Sequence, residues 1–207
     1  MIGAAIVLAA GRSRRMGTQK LLLPWAGQTV IGHIVDQVLT AGVKHVFVVI
    51  GADRDAVSQA LADRPVTFIT NPDPDAEMLS SVRCGIRVLP PECDAAMVVL
   101  GDQPGIQATD IAMLLAEYQA TKADIITPIH KEKRGHPLIL SSRLFDEVLS
   151  NFDGVGLQGV LAAHADAIHR VQLSDPTMLL DMNYPHDYQR ALASQLAAAE
   201  PPDQGSS

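Results

Sequence analysis

A chain of 207 residues with a formal net charge of −7 suits one α/β domain, and a chain of this size buries roughly 70% of its unfolded surface. The acidic balance argues against a nucleic-acid partner, which would need a basic face, and no apolar run approaches the roughly 20 residues of a membrane span. Apolar residues make up 47% and aromatics only 4%, so the core must be built from Val, Ile, Leu and Ala, as in buried parallel strands.

In chain order, short β-branched runs alternate with amphipathic ones. Ala5–Ala10, His45–Ile50, Val66–Thr70, Ala95–Leu100 and Asp124–Pro128 read as strands, being too short for buried helices. Between them Thr29–Ala41, Arg54–Ala62, Leu79–Leu89 and Ala108–Thr121 carry helical spacing, with Thr29 as an N-cap and Gly42 as a stop. The alternation predicts a three-layer, Rossmann-like α/β fold with a mostly parallel central sheet and helices on both faces. Further on, Pro137–Leu140 reads as a strand and Ser141 as the cap of a helix near Ser142–Leu149. Asn151–Gly159, with three glycines, reads as a mobile loop. Leu157–His164 reads as a helix, Ala167–Val171 as a strand and Tyr184–Ala199 as the closing helix. Residues 1–199 are expected as a single domain and 200–207 as a disordered tail.

Cys84 and Cys93 match neither a disulfide framework nor a metal spacing, and are expected as reduced thiols of a cytoplasmic protein. The apolar run from Ile2 to Ala10 is followed at once by Gly11 and three arginines, the reverse of a secretory signal's order.

The first strand leads into Leu8-Ala9-Ala10-Gly11-Arg12-Ser13-Arg14-Arg15-Met16-Gly17-Thr18-Gln19-Lys20. Ligands of open α/β sheets bind beyond the carboxyl ends of the strands, where a Gly-rich turn exposes N–H groups to phosphate. Arg15 and Lys20 add positive charge there. The loop is neither a Walker loop nor G-x-G-x-x-G, since Ser13 stands where the second Gly belongs, which disfavours a dinucleotide-dependent oxidoreductase. The fourth strand runs into Gly101-Asp102-Gln103-Pro104, placing a carboxylate over the same crevice; Mg²⁺ takes one or two carboxylates plus phosphates and water.

Together these motifs resemble the molybdenum-cofactor nucleotidyltransferases, most closely the molybdopterin cytidylyltransferases and related MobA-like NTP transferases. The matching segments are LAAGRSRRMGTQKLLLPW, the stretch from Asn71 to Arg83, VVLGDQP, RGHPLIL and DMNYPHDY, spanning Leu8 to Tyr188. The resemblance implies a GT-A-like nucleotidyltransferase that moves CMP from CTP to the terminal phosphate of molybdopterin with Mg²⁺, and a molybdoenzyme or its chaperone as recipient. It implies that Leu8, Ala9, Ala10 and Gly11 contact the nucleotide, Ala9 and Ala10 through backbone at the base, while Arg15 and Lys20 hold the triphosphate. It makes Asp102 a metal ligand, with Asn183 or Asp181 as the second, and Ser80 and Ser81 base-side contacts. Arg134 and His136 fall on the acceptor side. Glu77 departs from the family's usual Gly, and Asn183 from its usual Asp. These departures leave open a non-catalytic cofactor-binding protein, beside transfer of GMP or another nucleotide to a different phosphorylated acceptor.

Overall fold

The elements track the β-branched and amphipathic runs closely. The computed structural model describes residues 4–11, 13, 16–51, 54–73 and 77–199. Its strands are β1 (Ala4–Ala9), β2 (Pro24–Trp25), β3 (Gln28–Thr29), β4 (His45–Ile50), β5 (Val66–Thr70), β6 (Ala95–Leu100), β7 (Ile125–His130), β8 (Lys133–Arg134), β9 (Leu138–Ser141) and β10 (Ile168–Gln172). Its α-helices are α1 (Val30–Thr40), α2 (Arg54–Ala60), α3 (Met78–Ile86), α4 (Ala108–Thr121), α5 (Phe145–Ser150), α6 (Gly156–Ala163) and α7 (Pro185–Ala199). Thr29 caps α1 as its sequence position predicts, accepting from the Gly32 N–H at 3.1 Å.

The main sheet runs β10-β7-β9-β6-β1-β4-β5, with β8 added to β7. All pairings along this path are parallel except those of β9, which runs antiparallel to both β6 and β7. Central β1 pairs with β4 and β6, so that Ala5 lies beside Val46 and Met97.

Alternation along β1 divides the core. Ala5, Val7 and Ala9 join the cluster that takes in Ile31, Ile34 and Val35 of α1 and Ile111 and Leu114 of α4. Ile6 joins the opposite cluster with Leu79, Val82 and Ile86 of α3, Val148 of α5 and Val160 of α6. Helix α3 reaches β1 closely because residue 85 is Gly: a Cβ there would lie 2.5 Å from Ile6 Cγ2.

The region predicted as a mobile loop is shorter and tied down. Helix α6 already begins at Gly156. Arg83 of α3 donates to the Val148 carbonyl at 2.8 Å, the Asn151 carbonyl at 2.5 Å and the Asp153 carboxylate at 2.5 Å, fastening the turn between α5 and α6. Cys84 and Cys93 are free thiols. No helix among the described residues is long and apolar enough to cross a membrane. The segment 200–207, expected as a disordered tail, lies outside the described residues.

Candidate active site

The carboxyl ends of β1 and β6 meet side by side and form the floor of the site. The Gly101 N–H donates to the Leu8 carbonyl at 3.0 Å, continuing the pairing one residue beyond β6. A Cβ at Gly101 would stand 2.6 Å from the Leu8 oxygen, and one at Gly51, after β4, would stand 2.7 Å from the Ala10 oxygen. Glycine at both positions lets the neighbouring strand ends close on the segment Leu8–Gly11, where nucleotide contacts are expected.

Ser13 organises the loop after β1. It adopts φ +49°, donates to Gln19 Oε1 at 2.9 Å and accepts the Lys20 N–H at 3.2 Å. These bonds tie Ser13 to Gln19 and Lys20, at the start of a short 3₁₀ turn, Lys20–Leu22. Lys20 Nζ lies 2.5 Å from Asp102 Oδ2, with the two side chains 13% and 22% exposed. The fold thereby gives Lys20 an acidic partner 82 positions away. Arg15, the other expected triphosphate ligand, lies outside the described residues.

The chain before α7 is fastened to the loop after β6. The Met182 N–H donates to the Asp102 carbonyl at 3.2 Å, and Gln103 Nε2 donates to Asp181 Oδ1 at 2.5 Å. Asp181 thereby joins Asp102 and Lys20. Desolvation raises its carboxyl above the usual carboxylate range, helped by the charges of Asp102 and Asp187 and opposed by the Gln103 hydrogen bond and Lys20. Asn183 is half-buried nearby, and its N–H and that of Tyr184 donate to the Asp187 carboxylate, which caps α7.

The chemistry of these side chains is compatible with a divalent cation. Asp102, Asp181 and the Asn183 amide supply hard oxygens, and among the described residues no group of three or more His, Cys, Asp or Glu could hold a metal alone. A cation here would be shared with a nucleotide's phosphates, which is how Mg²⁺ is commonly held.

His136 lies in the segment between β8 and β9. Its Nε2 is enclosed and has no hydrogen-bond partner. Burial lowers its pKa to about 4, against the pull of the Asp102 charge, so the ring is neutral at physiological pH. Arg134 is exposed on β8, opposite Ile129. Ser80 and Ser81, at the start of α3, are held by Asn71 just beyond β5: Asn71 Nδ2 donates to Ser81 Oγ at 3.0 Å and to Ser80 Oγ at 3.3 Å.

The domain model of the MobA-like NTP transferases matches residues 5–168. The chain belongs to this family. It is an enzyme of the nucleotidyltransferase class with the Rossmann-like fold of that class. It is similar to a nucleotidyl transferase of Methanothermobacter, at 28% identity and a TM-score of 0.83, over 95% of this chain and 99% of that one. It is similar to Rv0371c of Mycobacterium tuberculosis, solved with manganese, at 25% identity and a TM-score of 0.74, over 94% of this chain and 100% of that one. Among curated proteins it is 29% identical over 191 residues to nicotine blue oxidoreductase of Paenarthrobacter nicotinovorans, covering 86% of this chain and 84% of that protein.

For this MobA-like domain, sequence reasoning did not single out Gln103 or Asn71 as functional. Both are buried polar side chains, 6% and 4% exposed, inside motifs already recognised. The signal available was an amide beside a candidate ligand, since a buried amide needs partners.

Proposed function

We propose that the protein transfers CMP from CTP to the terminal phosphate of molybdopterin, with Mg²⁺, releasing pyrophosphate. The observation that carries this reading is the Lys20–Asp102 pair at the joined carboxyl ends of β1 and β6, with Asp181 fastened beside it. An ammonium and a carboxylate in contact form a preset anion and cation site. Lys20 would turn from Asp102 to a phosphate oxygen of a bound triphosphate, leaving the Asp102 carboxylate to hold a divalent cation that would supply charge neutralisation there.

The chemistry then needs little from side chains. An acceptor phosphate oxygen, already anionic, attacks the α-phosphorus; the bond from that phosphorus to its bridging oxygen breaks, and pyrophosphate leaves with the electron pair. No proton has to be removed, so the neutral His136 acts as a hydrogen-bonding group on the acceptor side rather than as a base. Lys20 neutralises charge on the triphosphate, and Arg134 holds the acceptor's anionic end. When bound, Mg²⁺ supplies charge neutralisation between the two repelling anions.

The cytidylyl preference rests on Ala10 at the strand end, where a methyl group leaves room for a pyrimidine. A recipient molybdoenzyme or its chaperone would take the product. The test is pyrophosphate release from CTP or GTP with Mg²⁺, with and without molybdopterin; turnover with CTP that depends on molybdopterin is expected, and a preference for GTP would sink the cytidylyl assignment. The 29% identity to an oxidoreductase favours one second reading, redox chemistry on the same fold. Oxidation of NADH or NADPH by a dye in the same assay, with no pyrophosphate release, would establish it instead.

A further inference from the structure

Behind the loop that carries Asp102 lies a cavity of about 340 Å³ that the proposed reaction does not use. Its walls come from the β2–β3 turn, α1, the segments Pro104–Gln107 and Asp175–Leu180, and α7. Trp25, the chain's sole tryptophan, and Ala26 form one side, and Ser194 and Gln195 of α7 form another.

The polar groups select what can enter. Asp175 lines the cavity, and no Lys or Arg does among the described residues. Asp110 is close enough for the Asp175 charge to add to the burial that raises its own carboxyl. Both substrates of the proposed reaction are polyanions, and this cavity would repel them. His33 of α1 also lines the cavity, with its Nε2 enclosed and without a hydrogen-bond partner. Burial lowers the pKa of that imidazole, against the Asp36 charge and the Pro104 carbonyl. A buried polar atom left unpaired is costly, and a ligand N–H or O–H would satisfy a neutral ring nitrogen.

We infer that this cavity is a second small-molecule site, for a flat aromatic compound that is uncharged or cationic. Its walls tie it to the active site. Pro104 and Gly105 directly follow Asp102 and Gln103, and Thr177–Leu180 directly precede Asp181. The two walls touch: Thr177 Oγ1 donates to the Gly105 carbonyl at 3.4 Å, and any Cβ at Gly105 would collide with the Thr177 carbonyl. A ligand wedged here acts on the spacing of both candidate metal-binding segments.

The sole tryptophan gives a direct readout that needs no catalysis. Benzamidine is the probe, and benzoate, with the same shape and opposite charge, is the control. Titration of the full chain, with CTP and Mg²⁺ saturating, is expected to give a saturable change in Trp25 emission with benzamidine and none with benzoate. Ser194→Phe, at an exposed position of the mouth, should weaken benzamidine binding by about tenfold or more. Asp175→Asn keeps a side-chain oxygen to cap the Thr177 N–H while removing the charge, and should weaken it several-fold. The inference fails if benzamidine gives no saturable change, if benzoate binds equally well, if CTP displaces the probe, or if binding is unchanged in Asp175→Asn.

Discussion

Gln103 Nε2 donates to Asp181 Oδ1 at 2.5 Å, joining residues 78 positions apart in sequence. Gln103 is buried and can present its amide in few other directions. It therefore fixes where Asp181 points, as partners of metal-binding carboxylates do. Gln103→Ala should raise the Mg²⁺ concentration needed for half-maximal turnover and lower the rate by about 10–100-fold. A metal titration of wild type and variant reads this, and identical curves would remove Gln103 from the site.

Asp181 sets a second expectation. Its folded-state pKa is raised, so the folded chain holds the proton more tightly than the unfolded chain does. Its contribution to stability is present below the unfolded pKa and is lost as pH rises through the folded one; at neutral pH without metal, the ionised carboxylate destabilises. Asp181→Asn should raise Tm of the metal-free protein at pH 7 while lowering metal-dependent activity. Thermal melts with and without Mg²⁺ check both halves.

His136 works in the opposite sense. With a folded pKa of about 4 against the ordinary value of 6.5, its neutral form stabilises the fold at neutral pH, and that stability is lost as pH falls through the window between the two. Between pH 7 and pH 5 the loss attributable to this ring is about 2 kcal/mol. Denaturant unfolding of wild type and His136→Gln at both pH values should show a smaller drop for the variant by about that amount.

Lys20 and Asp102 are in contact, so their substitutions should not add. Asp102→Ala is expected to abolish turnover with the fold intact, and Lys20→Ala to weaken use of the nucleotide more than binding of the acceptor. The double variant should be no slower than Asp102→Ala alone. Additive losses in nucleotide affinity, read by titration of the single and double variants, would mean that the two residues act independently.

At the base, CTP should be used at least about tenfold better than GTP, a difference of roughly 1.4 kcal/mol that one steric contact can supply. Ala10→Gly should narrow this ratio without ruining turnover, as kcat/KM for both nucleotides would show.

Much of the fold was legible in the sequence. The runs His45–Ile50, Val66–Thr70 and Ala95–Leu100 match β4, β5 and β6 residue for residue, because β-branched runs of that length fit little else. Asp102 and Lys20 were identified by motif, but their contact was not, since it depends on how β1 and β6 pair. The hairpin of β2 and β3 was missed because two-residue strands leave no periodicity to read. The tie from Gln103 to Asp181 and the cavity beside Trp25 arise only when segments far apart in sequence are brought together, and no local pattern encodes that.

The antiparallel strand β9 governs how this scaffold can change. Because β9 runs against β7, the chain leaves β7 at His130 and re-enters at Leu138 on the same rim of the sheet. Residues 131–137, with Arg134 and His136, form a cassette whose two ends are anchored by adjacent strands. Its length can change at residues 131–132, where the chain turns from β7 into β8, without altering strand order. On the reading that Arg134 and His136 face the acceptor, a single backbone would keep its nucleotide-handling half while trading its acceptor as a module.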